Sequence, residues 1–98
     1  MCGILGIYSK FFFDEAIVQK MSECMLSRGP DDQNIFSNSK DGIILHHSRL
    51  SILDLSTNGL QPMHSNNNRW VISYNGEIYN HLEIRNELKI EYPEISWK

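Results

Sequence analysis

Residues 33–55 read QNIFSNSKDGIILHHSRLSILDL. Asp41-Gly42 stands between two runs rich in aliphatic and aromatic residues, and Asp-Gly in that setting is a strong hairpin signal. The spacing predicts a strand over 33–40, a turn at 41–42, and a returning strand whose extension reaches residue 55. Side chains alternate along a strand, so His46 and His47 should face opposite ways, one into a core and one into solvent. Arg49 lies in the same run. A guanidinium there must be paired or must reach water; a pair with Asp54 or simple exposure would satisfy it.

Upstream, GILGIYS (3–9) is a short apolar run with polar borders and reads as a buried strand. DEAIVQKMSECMLSR (14–28) follows. Its Ile17, Met21, Cys24 and Met25 recur at i, i+4, i+7 and i+8, which is one face of a helix. Asp14 can cap its start, and Arg28-Gly29-Pro30 supplies a stop. That stop is also a loop able to lie over a pocket. Cys24 reads as a small buried hydrophobe.

Downstream, STNGLQP (56–62) is loop chemistry and SNNN (65–68) a polar turn. RWVISYN (69–75) reads as a strand broken at Gly76. IYNHLEIRNELK (78–89) reads as a helix with Ile78, Leu82, Arg85 and Leu88 on one side. Arg85 can lay its stem on a core and keep its head in water. EYPEISWK (91–98) is extended or turn-like around Pro93. Strand, helix, hairpin, strand, helix is the order of an α/β or α+β domain with a largely antiparallel sheet. So few strands under one helical layer leave open edges, as in a domain cut in half.

The 98 residues are 41% hydrophobic and 21% charged, with a formal charge of −3. These values are ordinary for a globular chain and give no electrostatic case for nucleic acid. No segment has the roughly 20 apolar residues of a membrane helix, and the N-terminus does not read as a secretory signal. A chain with two cysteines and no export signal reads as reduced and cytoplasmic. No ligand spacing for a metal occurs.

Cys2 stands out by position. If Met1 is removed, its thiol and a free α-amine share one carbon. Their ordinary pKa values are about 8.5 and about 8, so one can take a proton from the other. The alternative is a plain core cysteine. A strand that stops at Asn75-Gly76 can aim a side-chain amide and a backbone N–H the same way, which makes an oxyanion hole; the alternative is a tight turn. Glu77 beside them could hold an ammonium group, and Arg49 a carboxylate. His64 and His81 offer no pairing that makes a general base. Taken together, these groups suit a molecule with a carboxylate, an ammonium and an amide carbonyl, such as glutamine.

MCGI (1–4), RGPDD (28–32), HSRLSILDL (47–55), QPM (61–63) and NGEIYNH (75–81) resemble the class II glutamine amidotransferase domain, in the version found in glutamine-hydrolysing asparagine synthetases. The resemblance covers nearly the whole chain. It implies an α+β fold, the αββα sandwich of N-terminal nucleophile enzymes, with residues 1–98 forming the N-terminal part. It implies that Cys2 attacks the glutamine side-chain carbonyl while Asn75 and Gly76 hold the oxyanion. Arg49 would bind the α-carboxylate, Glu77 the α-amino group, and backbone near Ile52 and Leu53 would line the site. The ammonia would pass to a synthetase domain, in cis or in trans, that uses ATP and Mg to make asparagine.

Two features depart from the family. A further aspartate contacting the α-amino group falls downstream of the segments present here, and no synthetase sequence or nucleotide loop occurs. No cofactor is therefore expected in this chain. The other readings are a non-catalytic fragment acting as an interaction module, and an amidotransferase with another acceptor such as a sugar acid. With half of a two-sheet core absent, the isolated chain is expected to be marginally stable or to self-associate through open sheet edges.

Overall fold

The computed structural model describes residues 2–11, 13–52 and 55–96. The hairpin forms around Asp41-Gly42, but its turn takes four residues, 39–42, so the first strand of the pair ends at Asn38 and not at residue 40. Strand β1 spans Gly3–Tyr8, β2 Asp32–Asn38 and β3 Ile43–Arg49. β3 is the centre of a three-stranded sheet, antiparallel to both neighbours in the order β1-β3-β2. The registers run from Gly3↔Ser48 to Tyr8↔Ile43 and from Asp32↔Arg49 to Asn38↔Ile43.

The turn is pinned twice. Asn38 Nδ2 donates to Asp41 Oδ2 at 2.7 Å, and Asp41 N–H donates to Asn38 Oδ1 at 3.2 Å. Gly42 has φ +67°, and a Cβ there would lie 1.8 Å from Ser9 O. Only glycine fits that conformation against that carbonyl.

Helix α1 spans Glu15–Glu23, capped by Ala16 N–H donating to Asp14 Oδ1 at 2.9 Å. It is shorter than the predicted 14–28. The bond Met25 N–H to Ser22 O breaks the i−4 pattern, and a 3-10 turn, Leu26–Arg28, finishes the segment. The helix buries Val18 and Ser22, whereas Ile17, Met21 and Cys24 of the expected inner face are exposed. Cys24 is thus a surface thiol and not a core residue.

Directly paired residues share a face of a sheet. Gly3 and Ser48 face the 3-10 turn: a Cβ on Gly3 would be 3.1 Å from both Met25 Cβ and Arg28 Cβ. The opposite face meets a two-stranded ribbon, β4 (Met63–His64) with β5 (Val71–Ile72). There Phe36 meets His64 edge to face at 5.4 Å, and His47 reaches Tyr74. Because β3 is covered on both faces, His46 and His47 are each 1% exposed, and neither points to solvent as alternation alone predicts.

Three further elements are shorter or later than read. β3 ends at Arg49, since pairing with β1 stops at Ser48 and with β2 at Arg49, and it does not extend to residue 55. The strand expected over 69–75 pairs only at Val71–Ile72. Helix α2 spans His81–Glu91 and buries no residue; Arg85 is half-buried.

The architecture is α+β, with small sheets and two helices. Val18 and Ile44 are the only buried apolar residues among those described. The radius of gyration, 15.5 Å, exceeds the roughly 13 Å of a close-packed chain of this length. The surface, 7861 Å², exceeds the roughly 5800 Å² expected for 11.4 kDa. Among the described residues no helix is long and apolar enough to cross a membrane, and no group of three His, Cys, Asp or Glu could hold a metal ion.

Candidate active site

β1 begins one residue after Cys2, which places that thiol at the end of the sheet where β3 also terminates. Leu50 N–H donates to Cys2 Sγ at 3.4 Å, and Leu50 O lies 3.9 Å from the same sulfur. The thiol is half-buried and held against the first residue beyond β3.

Arg49 ends β3 and is 7% exposed. Its cross-strand partner is Asp32, and Nη1 donates to Asp32 Oδ2 at 3.3 Å and to Ser56 O at 2.9 Å. The ion pair is therefore with Asp32; Asp54, the partner considered from sequence, lies outside the described residues. Gly59 makes room for the guanidinium, since a Cβ there would sit 2.5 Å from Nη2. Asp31 fixes the next segment by accepting from Ser51 N–H at 2.7 Å.

Asn75, Gly76 and Glu77 follow β5 in an exposed loop, and α2 does not start until His81. Asn75 Nδ2 donates to Cys2 O at 3.1 Å, which joins this loop to the start of β1. Tyr74 N–H donates to Gln61 Oε1 at 2.5 Å, and its carbonyl lies 3.3 Å from His47 Nε2. A carbonyl only accepts, so His47 carries its proton on Nε2 there. Burial lowers the pKa of His47; the Tyr74 bond opposes that and the Arg49 charge reinforces it. His46 is lowered too, by burial and then by His47. Both rings are neutral near pH 7.

One cavity of about 440 Å³ collects the residues singled out from sequence: Cys2, Arg49, Ile52, Asn75, Gly76 and Glu77 line it. Leu53 lies outside the described residues. A second cavity, about 470 Å³, opens on the other side of Cys2 and Asn75, with Cys24, Met25 and Arg28 on its wall. Of the RGPD segment, Arg28 borders this second space and ends the 3-10 turn. Gly29 packs too closely for any side chain, its Cβ position being 2.3 Å from Ser48 O.

Residues 1–96 match the glutamine amidotransferase domain. The chain belongs to that family. The amidotransferase chain is 42% identical over 93% of its length to the protein named putative asparagine synthetase [glutamine-hydrolyzing] 2 of Methanocaldococcus jannaschii, covering 21% of that protein. It is 38% identical over 94% of its length to asparagine synthetase B [glutamine-hydrolyzing] of Escherichia coli, covering 17%. It is 35% identical over 91% of its length to asparagine synthetase [glutamine-hydrolyzing] 1 of Bacillus subtilis, covering 14%. The amidotransferase chain thus spans about a fifth or less of these relatives.

His47, Gln61, Asp32 and Gly59 were not among the sequence-derived site residues. Gln61 is part of QPM and His47 of HSRLSILDL, so the motifs contained them without showing their role. Strand alternation offers His47 only a core or a solvent position, and the cavity wall is a third environment. Asp32 needed the β2–β3 register, which places it opposite Arg49.

Proposed function

We propose that the chain is the glutaminase portion of an asparagine-synthetase-like enzyme, hydrolysing glutamine to glutamate and ammonia through a Cys2 thioester. The observation that carries this is the convergence of Cys2, Arg49, Asn75, Gly76 and Glu77 on one cavity.

Once Met1 is removed, the α-amine of Cys2 takes the thiol proton and the thiolate attacks the side-chain amide carbon of glutamine. The carbonyl π pair moves to oxygen. Gly76 N–H and the Asn75 amide receive that charge. A side-chain amide has two N–H donors; Asn75 directs one to Cys2 O, and the other serves the oxyanion. Collapse expels ammonia, with the proton coming from the α-ammonium. Water then adds to the thioester with the amine as base, the C–S bond breaks, and glutamate leaves. Arg49 binds the substrate α-carboxylate and Glu77 the α-amino group, which fix the amide carbon over the sulfur.

The completed domain is the αββα sandwich, of which this chain supplies residues 1–98. An ATP- and Mg-dependent synthetase domain, in cis or in trans, consumes the ammonia to make asparagine. A reducing cytoplasm keeps the Cys2 thiol available. The isolated chain self-associates through its exposed apolar faces and sheet edges.

The test is an intact mass before and after a glutamine-like diazo-ketone. The expected result is loss of Met1 and one adduct, absent from a Cys2→Ala chain. Retained Met1, or no adduct, would overturn the reading.

A further inference from the structure

We propose that His47 and Gln61 are positioning residues that clamp the two peptide groups flanking the Tyr74 Cα and so aim the Asn75 and Gly76 donors; this rests on the glutaminase reading. Three contacts converge on Tyr74. Its N–H donates to Gln61 Oε1 at 2.5 Å, and its carbonyl accepts from His47 Nε2 at 3.3 Å. Its hydroxyl lies over Gly76, where a Cβ would come within 2.6 Å of that oxygen.

The loop needs such a hold. The β4–β5 ladder ends at Ile72, and residues 73–80 belong to no strand or helix. Without side-chain bonds, nothing in a ladder would fix the direction of the Gly76 N–H. His47 is well placed to supply one. It sits in the central strand, is 1% exposed, and shares a face with Ile4 and Asn34. Gln61 reaches the same residue from the loop that carries Gly59, which seats Arg49. The clamp therefore ties the oxyanion donors to the strand that carries the carboxylate-binding cation.

The ring is not arranged as a general base. Nε2 is committed to Tyr74 O, and Nδ1 is buried with no hydrogen-bond partner among the described residues. A glutamine in its place keeps an N–H donor near the Nε2 position, whereas a leucine keeps only the volume.

The experiment compares His47→Leu, Gln61→Leu and His47→Gln with the unmodified full chain, using glutamine hydrolysis and NMR. A displacement of the donors by about 1 Å predicts a kcat about 10- to 100-fold lower in each leucine variant, with KM within about threefold. His47→Gln is expected to recover kcat to within about fivefold of the unmodified chain. A folded leucine variant with unchanged kcat, or with KM alone raised, would overturn the proposal.

NMR decides the question where turnover cannot. In the unmodified chain His47 should be neutral at pH 7 with its proton on Nε2. The Gly76 N–H and Asn75 side-chain resonances should move in His47→Leu and return in His47→Gln. A proton on Nδ1, an imidazolium, or unmoved resonances would overturn the clamp. If the unmodified chain neither labels at Cys2 nor turns over, the glutaminase reading fails, and these spectra still decide whether the clamp exists. If His47→Leu does not fold, the ring tautomer and the His47→Gln kinetics decide it.

Discussion

Every described residue that is fully buried lies between Gly3 and Arg49; from Leu50 to Ser96 each is half-buried or exposed. The first region has a central strand paired on both sides from Ile43 to Ser48 and on one side at Arg49. The second has two paired positions, Met63↔Ile72 and His64↔Val71, and a helix that buries nothing. The site spans the boundary. Cys2 and Arg49 come from the tightly held region, and Asn75, Gly76 and Glu77 from the loosely held one. The Cys2 thiol and the Arg49 cation thus have a fixed frame. Asn75 and Gly76 reach it through the bonds Asn75 to Cys2 and Tyr74 to His47 and Gln61.

The contrast breaks most completely at Gly42. Gly42→Val puts a branched side chain at positive φ against Ser9 O, and a loss of about 4 kcal/mol or more is expected. Circular dichroism should show the first region unfolded. Asn75→Ala acts on the second region and on the link between them. It should lower kcat for glutamine about 100- to 1000-fold while leaving the thermal melt nearly in place. Comparable losses of kcat and of melting temperature would mean that Asn75 mainly holds the fold.

Asp32→Asn removes the charge opposite Arg49. Asp32 is 42% exposed and Arg49 keeps Ser56 O, so a loss of about 1 kcal/mol is expected in denaturant melts. The buried histidines add a pH dependence. Their pKa values are lowered in the fold from 6.5, so the unfolded chain binds protons first as pH falls. Stability should be level above about pH 7.5 and should decline as pH drops through 6.5 toward the lower folded values. Replacing both His46 and His47 should flatten that decline. Ile90→Ala on α2, where the residue is 84% exposed, should change stability by no more than about 0.5 kcal/mol.

The legible parts of the sequence were those set by local chemistry. Asp41-Gly42 specified a turn that only glycine can finish, and Asp14 specified a cap that forms. The MCGI and NGEIYNH segments named residues that do meet around one cavity. What pattern could not supply was which surfaces are covered. Periodicity gave α1 an apolar stripe at Ile17, Met21 and Cys24, but Val18 and Ser22 are the residues that pack. Alternation separated His46 from His47, but a central strand with layers on both faces buries both. The strands over 43–55 and 69–75 were read too long because a strand lasts only as far as its partners do.

The surplus of exposed surface has a calorimetric consequence. A chain of 98 residues ordinarily unfolds with a heat-capacity increase of roughly 1.2–1.5 kcal/mol/K. That increase measures apolar surface newly wetted, and here much of that surface is wet already. The monomer should therefore unfold with a smaller heat-capacity step and a flatter stability curve, and its cold and hot limits should be less sharply drawn. Covering α1 and α2 with whatever packs on them in a larger assembly would steepen both.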